Sequence, residues 1–266
     1  AGERELVTTP NELRDALGDE TALVSIMAAN NETGVLQPIE PIAAVAREAG
    51  VPLHVDAVQA AGKIPLDVKA LGVDLLSISA HKIGGPAGIG ALDVREGTPL
   101  EPLIRGGAQE RRRRAGTEAP VLAAGFAAAA RAAAGAGEAE RMARLRDRME
   151  RELRRRIETM RINGAAAPRV ANTSSMTFPG VDNEALVIRM DLLGIALSTG
   201  SACSTGSSRP SHVLAAMGLA PAEVASSIRV SLGPCTAEEE IDALVEALPA
   251  AVAELARGAA VGPGRR

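Results

Sequence analysis

Two short apolar runs that end in polar residues constrain this chain most. Val51-Pro52-Leu53-His54-Val55-Asp56 closes on a carboxylate, with Gln59 three residues on. Val73-Asp74-Leu75-Leu76-Ser77-Ile78 runs into Ser79-Ala80-His81-Lys82, and Gly84-Gly85-Pro86 to Gly88-Ile89-Gly90 then turns the chain into Ala91-Leu92-Asp93-Val94. Runs of this length read as buried strands. Ahead of them, Pro10–Leu17 reads as a short helix, Ala22–Met27 as a strand ending in the polar loop Ala28–Gly34, and residues 38–49 as a helix started by Pro38 and Pro41 and stopped by Gly50. Strands alternating with helices specify an α/β fold with a largely parallel, doubly wound sheet. In such a sheet the polar strand ends gather around one crevice.

The core must be aliphatic. Of 266 residues 46% are hydrophobic, yet only two are Phe and none is Trp or Tyr. Stacking platforms for bases are therefore missing, and a net charge of −4 gives no basic field for nucleic acid or an anionic membrane. The run Arg111-Arg112-Arg113-Arg114 reads as a solvated loop. Two cysteines with no paired spacing suggest neither disulfide nor zinc site and fit a reducing, cytoplasmic setting, and no stretch is long enough for a membrane span.

Residues 119–137, almost pure Ala and Gly, read as a helix packed closely against a neighbour. A long amphipathic helix, about 138–161, carries the stripe Met142, Leu145, Met149, Leu153, Ile157 and Met160, which reads as core. The texture then changes: Val170–Phe178, residues 185–197 and Ser227–Leu232 suggest a smaller α+β unit, closed by a helix over Thr236–Leu248 with Thr236 as its N-cap. The expected division is a large unit over residues 1–137 and a small C-terminal unit over 138–266, ending in a frayed tail from Gly258.

Lys82, Asp56, Ser79 and His81 form a donor and acceptor set suited to pyridoxal 5'-phosphate (PLP). A strand-end lysine amine can attach the cofactor, a carboxylate can hold its pyridinium proton, and hydroxyl and imidazole groups can donate to its phosphate. Asp56, expected to be buried, would find its partner there. Lys82 is expected to be partly desolvated, which lowers an amine's pKa. Asn31 reads locally as a turn asparagine. Cys203 lies in a small-residue stretch, about 198–210, that reads as a mobile, exposed loop, where a thiol is reactive rather than packed. Cys235 reads as structural. Arg229, within Ser227-Ile228-Arg229-Val230-Ser231, is by default a surface residue, although a strand arginine beside a crevice can clamp a carboxylate with two parallel bonds.

Taken together, Asn30-Asn31-Glu32-x-Gly34, His54-Val55-Asp56-Ala57-x-Gln59, Ser79-x-His81-Lys82, Gly84-x-Pro86-x-Gly88-Ile89-Gly90, Gly116-Thr117, Ser201-Ala202-Cys203 and Ser226-Ser227-Ile228-Arg229-x-Ser231-Leu232-Gly233 occur in the order of one family. From about residue 20 to 248 the chain resembles the NifS-like, PLP-dependent cysteine desulfurases of the class V aminotransferase superfamily. The resemblance implies PLP-dependent transferase fold type I, with Lys82 attached to the cofactor and moving protons, Asp56 on the pyridine nitrogen and Gln59 on the phenolic oxygen. It places Asn31 in the cofactor and substrate site, Ser79 and His81 on the phosphate, and Arg229 on the substrate carboxylate. Thr117 would reach the phosphate of a second subunit in a homodimer. Cys203 would take sulfur from L-cysteine as a persulfide, leave alanine, and pass the sulfur to an acceptor protein for iron–sulfur cluster assembly or tRNA thiolation.

Two departures from the family accompany this. Ala28 and Ala29 stand where a histidine is common. The family has a long part before the equivalent of Glu12, with the remaining phosphate loop and a group stacked on the cofactor ring. Ala1–Thr9 instead reads as the middle of a protein, so the resemblance implies a chain lacking its N-terminal part. A selenocysteine lyase or an aminotransferase of the same superfamily shares much of this motif set, although an aminotransferase would not need Cys203. A remnant that only dimerises or docks to a scaffold is the non-enzymatic alternative.

Overall fold

The computed structural model of the chain describes residues 7–135, 137–200 and 210–260. The chain forms two compact units, one of Thr8–Ala29 with Gln37–Ala136, the other of Ala1–Val7, Asn30–Leu36 and Gly137–Arg266. Residues 30–36, assigned from sequence to the large unit, thus group with the C-terminal one. The backbone gives the reason: Leu36 N–H donates to Pro168 C=O and Val170 N–H to Gly34 C=O, both at 2.8 Å, around a Val35–Arg169 bridge.

In the first unit, α1 (Pro10–Ala16) begins in a capping box, Thr9 and Glu12 each accepting from the other's backbone N–H. Next come β1 (Val24–Met27), α2 (Ile39–Glu48), β2 (Leu53–Asp56), α3 (Val68–Leu71), β3 (Leu75–Ser79), β4 (Gly90–Val94) and α4 (Pro120–Ala133). The sheet runs β1-β2-β3-β4, its first three strands parallel and β4 antiparallel to β3. It is the mainly parallel α/β sheet expected, with a hairpin strand at one edge. α2 buries Ile39, Ile42, Val45 and Ala46, and Leu53, Val55 and Leu76 are buried with them. That apolar stripe at helical spacing is what holds the helix to the sheet.

The Gly-rich turn is shaped by close backbone approach. A Cβ on Gly90 would lie 2.8 Å from the Ile78 carbonyl oxygen, closer than atoms tolerate. Gly90→Ala is therefore expected to cost about 1–3 kcal/mol by overpacking. It should appear as a lower urea midpoint at unchanged slope. Gly18→Ala, where the added Cβ meets nothing within 4 Å, is the control. α4 backs this turn through small residues: a Cβ on Gly85 would meet Ala129 at 3.1 Å and one on Gly125 would meet Pro86 at 3.2 Å. The close packing expected of the Ala-rich helix is present, although none of its residues is fully buried.

The second unit holds α5 (Glu138–Arg156), β5 (Arg161–Ile162), β6 (Thr173–Thr177), α6 (Asn183–Asp191), β7 (Ser198–Thr199), α7 (His212–Ala216), α8 (Pro221–Val224), β8 (Ser227–Ser231) and α9 (Glu238–Ala260). Its sheet has the order β5-β6-β8-β7 and is antiparallel throughout. Leu145, Met149, Leu153, Ile157 and Met160 enter its core, and Met142 is buried too. The helix itself stops at Arg156, earlier than its stripe, because Ile157 leaves helical geometry.

Two expectations about the last helix need correction. Thr236 is not its N-cap: the hydroxyl accepts from Gly233 N–H at 2.9 Å, and the Glu240 carboxylate caps Ala237 N–H at 2.8 Å. The helix also passes Pro249 and runs to Ala260 instead of stopping at Leu248. Proline at 249 cannot donate to the Val245 carbonyl four residues back, and Arg156 Nη1 supplies a donor there at 3.2 Å. No described helix is long and apolar enough to cross a membrane.

Candidate active site

In the first unit, parallel pairing of β2 and β3 sets Asp56 beside Ser77, so Asp56 and Ser79 stand at the C-terminal ends of adjacent strands. Period-two alternation puts His54 and Asp56 on the same face as Ser77 and Ser79. His54 bridges the three parallel strands there, Nδ1 at 2.8 Å from Ser25 Oγ and Nε2 at 3.1 Å from Ser77 Oγ. After Ser79, the tight helical turn Ala80–Ile83 is closed by Gly84 in the left-handed region, a conformation that glycine adopts without strain. That turn presents His81 and Lys82. Ser79 Oγ and His81 Nδ1 lie 2.7 Å apart. Gln59 Oε1 accepts from Lys63 Nζ at 3.0 Å.

Asp56, expected to be buried, and Lys82, expected to be partly desolvated, are both exposed. Asp56 finds a partner in the backbone instead, Oδ1 accepting from Val58 N–H at 2.9 Å. This face of the sheet is the less covered one, with Met27 at 42% and Leu92 at 46% exposure. Lys82 makes no hydrogen bond or ion pair among the described residues, so its amine is open to a reacting carbonyl. The unit thus joins an amine, a carboxylate and a hydroxyl–imidazole pair at one sheet edge, and this donor set fits PLP. Thr117, exposed in the segment after Gly116, is not hydrogen-bonded to that group.

A second cluster lies within the other unit. Asn30 Oδ1 accepts from Glu32 N–H (2.9 Å), Thr33 N–H (3.0 Å) and Thr33 Oγ1–H (3.2 Å), which folds residues 30–34 into a polar turn. From β8, Arg229 Nη1 donates to the Asn31 carbonyl at 3.0 Å, while Arg229 Nε is buried with no acceptor. An orphaned buried guanidinium N–H suits a carboxylate ligand. Glu32 is only 5% exposed and accepts from Ser211 Oγ at 2.5 Å, and Ser211 Oγ also caps α7 through Leu214 N–H. Burial pushes the Glu32 carboxyl above the ordinary carboxylate range, against the Ser211 bond and the nearby charges of His212 and Arg229.

Cys203 lies outside the described residues, between Gly200 and Pro210. Cys235, read from sequence as structural, is exposed. Sequence reasoning passed over His54, Glu32 and Ser211. His54 and Glu32 stood inside recognisable motifs, and the available signal was an ionisable or polar residue inside an otherwise apolar stretch or turn. Ser211 carried no signal beyond a helix-capping position.

The chain is similar to a group of named proteins. It is 44% identical over 251 residues to the cysteine desulfurase IscS of Methanosarcina thermophila, covering 94% of this chain and 62% of that protein. Among solved structures, a NifS-like protein from Rickettsia africae superposes with a TM-score of 0.83 at 34% identity, covering 92% of this chain and 66% of that one. SspA, solved in complex with cysteine, superposes with a TM-score of 0.73 at 33% identity, covering 87% of this chain and 64% of that one. The chain thus spans just under two thirds of the length of these relatives. The aminotransferase class-V family model matches residues 3–244, nearly the whole chain, and its PLP chemistry agrees with the donor set at the ends of β2 and β3. The chain belongs to the class-V aminotransferase family.

Proposed function

We propose that this chain is the part of a cysteine desulfurase that carries its lysine and its sulfur-accepting thiol. The observation that carries this reading is the adjacency of Asp56 and Ser79-Ala80-His81-Lys82 at neighbouring ends of a parallel sheet. The cysteine bound to the 33%-identical SspA supports L-cysteine as substrate. PLP, when bound, supplies an electron sink next to the substrate Cα. Lys82 holds the cofactor through its amine and then serves as base and acid at Cα. Asp56 pairs with the protonated ring nitrogen, Gln59 donates to the phenolic oxygen, and Ser79 and His81 hold the phosphate. Arg229, through its unused Nε, and Asn31 receive the substrate carboxylate. The Cys203 thiolate attacks the substrate sulfur: an S–S bond forms, the Cβ–S bond breaks with its electron pair going to carbon, and protonation of that carbon leaves alanine.

A homodimer in which Thr117 serves the partner's phosphate is part of the reading, supported by the exposed apolar side chains Leu103 (96%) and Val121 (82%), which precede and follow Thr117 in the chain. So is transfer of the persulfide to an acceptor protein for iron–sulfur cluster assembly or tRNA thiolation, in the cytoplasm. The test is to add PLP and L-cysteine to the chain and measure three things: the visible absorption of lysine-bound cofactor, alanine, and persulfide. Cofactor absorption with alanine, and persulfide that disappears in Cys203→Ala, is the expected result. Alanine formation unaffected by Cys203→Ala overturns the desulfurase assignment in favour of another class V chemistry. Absence of cofactor absorption overturns the competence of this chain alone.

A further inference from the structure

We propose that Glu32 is a positioning residue for sulfur transfer: from the Asn30–Gly34 turn, its carboxyl holds the two described ends of the stretch carrying Cys203, Gly200 and Ser211. The inference rests on the desulfurase reading for its purpose, but not for its geometry. Glu32 Oε2 receives the Ser211 hydroxyl at 2.5 Å on one side. On the other, Gly200 passes close to the carboxyl: a Cβ there would lie 3.3 Å from the same oxygen and 3.4 Å from Leu214. The Asn30 side chain fixes the turn from which Glu32 reaches out, and Arg229 ties to the same turn through the Asn31 carbonyl. One carboxyl therefore joins the substrate-clamp arginine's turn to both roots of the thiol-bearing stretch.

A carboxylate that merely filled space could be an apolar side chain. Burying an ionisable group is costly unless it is bonded, and here the bond goes to a residue 179 positions away in the chain. The charged groups facing it are His212, at the start of α7, and Arg229, on β8. Burial favours the protonated carboxyl, the Ser211 bond and the charges of His212 and Arg229 favour the carboxylate, and burial is the larger of these. Because the net shift is upward, the stability this buried carboxyl gives the closed arrangement is fullest below the ordinary carboxylate range and falls as pH rises through the raised value, where the cost of burying the charge is met.

Amide hydrogen exchange on the unliganded chain tests this without cofactor or turnover, so its outcome is independent of whether the chain is a working desulfurase. Glu32→Ala is expected to speed exchange over residues 198–200 and 211–217 by about tenfold through loss of a buried hydrogen bond. Glu32→Gln, which keeps the acceptor, is expected to stay near the parent. In the parent, protection of these amides, corrected for intrinsic exchange, falls with rising pH, and in Glu32→Gln it does not. Alkylation of Cys203, read against exposed Cys235 in the same molecule, follows the same pattern. The proposal is overturned if the pH profiles of parent and Glu32→Gln coincide. It is equally overturned if a folded Glu32→Ala leaves exchange and Cys203 alkylation unchanged. Should Glu32→Ala fail to fold, the Gln comparison decides alone.

Discussion

Lys82→Ala is expected to remove the visible absorption that PLP gains on binding the chain, and to cut alanine formation from L-cysteine by about 10²–10⁴-fold, the usual worth of a positioned acid–base group. The loss should reach further, because the same amine attaches the cofactor and moves the proton at Cα, and residues acting as a unit lose function together. Structure makes the experiment clean. Lys82 is exposed, sits on a turn held by backbone bonds from Ala80 to Ile89 and from Gly85 to Ala80, and has no hydrogen-bond or ion-pair partner among the described residues. Its truncation should leave the unfolding free energy from urea denaturation within about 0.5 kcal/mol of the parent, as for surface substitutions generally. Full alanine formation by Lys82→Ala would remove the lysine from the mechanism. A large loss of stability would mean that the turn, not the amine, was being tested.

The largest effect on stability should come from Glu150→Ala. Glu150, on α5, receives both terminal nitrogens of Arg169 at 2.8 and 3.0 Å and the Ser174 hydroxyl at 2.6 Å, and all three side chains are buried or nearly so. Replacing a buried pair by apolar residues can be neutral. Removing one partner strands the other charge and costs about 3–5 kcal/mol. That equals or exceeds the roughly 2–5 kcal/mol expected for Leu153→Ala, which empties part of the same helix's core face. Chemical denaturation of the two variants measures both. If Glu150→Ala costs less than about 1 kcal/mol, Arg169 has found water and the pair is effectively a surface one.

Much of the fold was legible because it depends on local periodicity. The strands ending in Asp56 and Ser79 are apolar runs of strand length, and the α5 stripe steps by three or four. Both patterns face a core whichever neighbours supply it. The adjacency of Asp56 and Ser79 was legible for the same reason, since strand ends in a parallel sheet converge by topology. The burial expected of Asp56 and the partial desolvation expected of Lys82 are not met: both are exposed, because exposure depends on what covers the sheet, and no strand pattern encodes that. Thr236 was misassigned because Glu240 competes for the cap from within the helix. Where α9 continues past Pro249, the Val245 carbonyl is met by Arg156, 89 residues away in the chain.

What the sequence determines by itself, then, is which segments become strands and helices and which polar residues sit at their ends, through steric alternation and apolar periodicity within a few residues. The tertiary structure alone decides which distant polar groups meet. Glu32 with Ser211, Arg229 with the Asn31 carbonyl and Glu150 with Arg169 join elements far apart in the chain. A buried polar atom draws its partner from whatever the folded chain brings within hydrogen-bond reach, and local pattern carries no record of that partner.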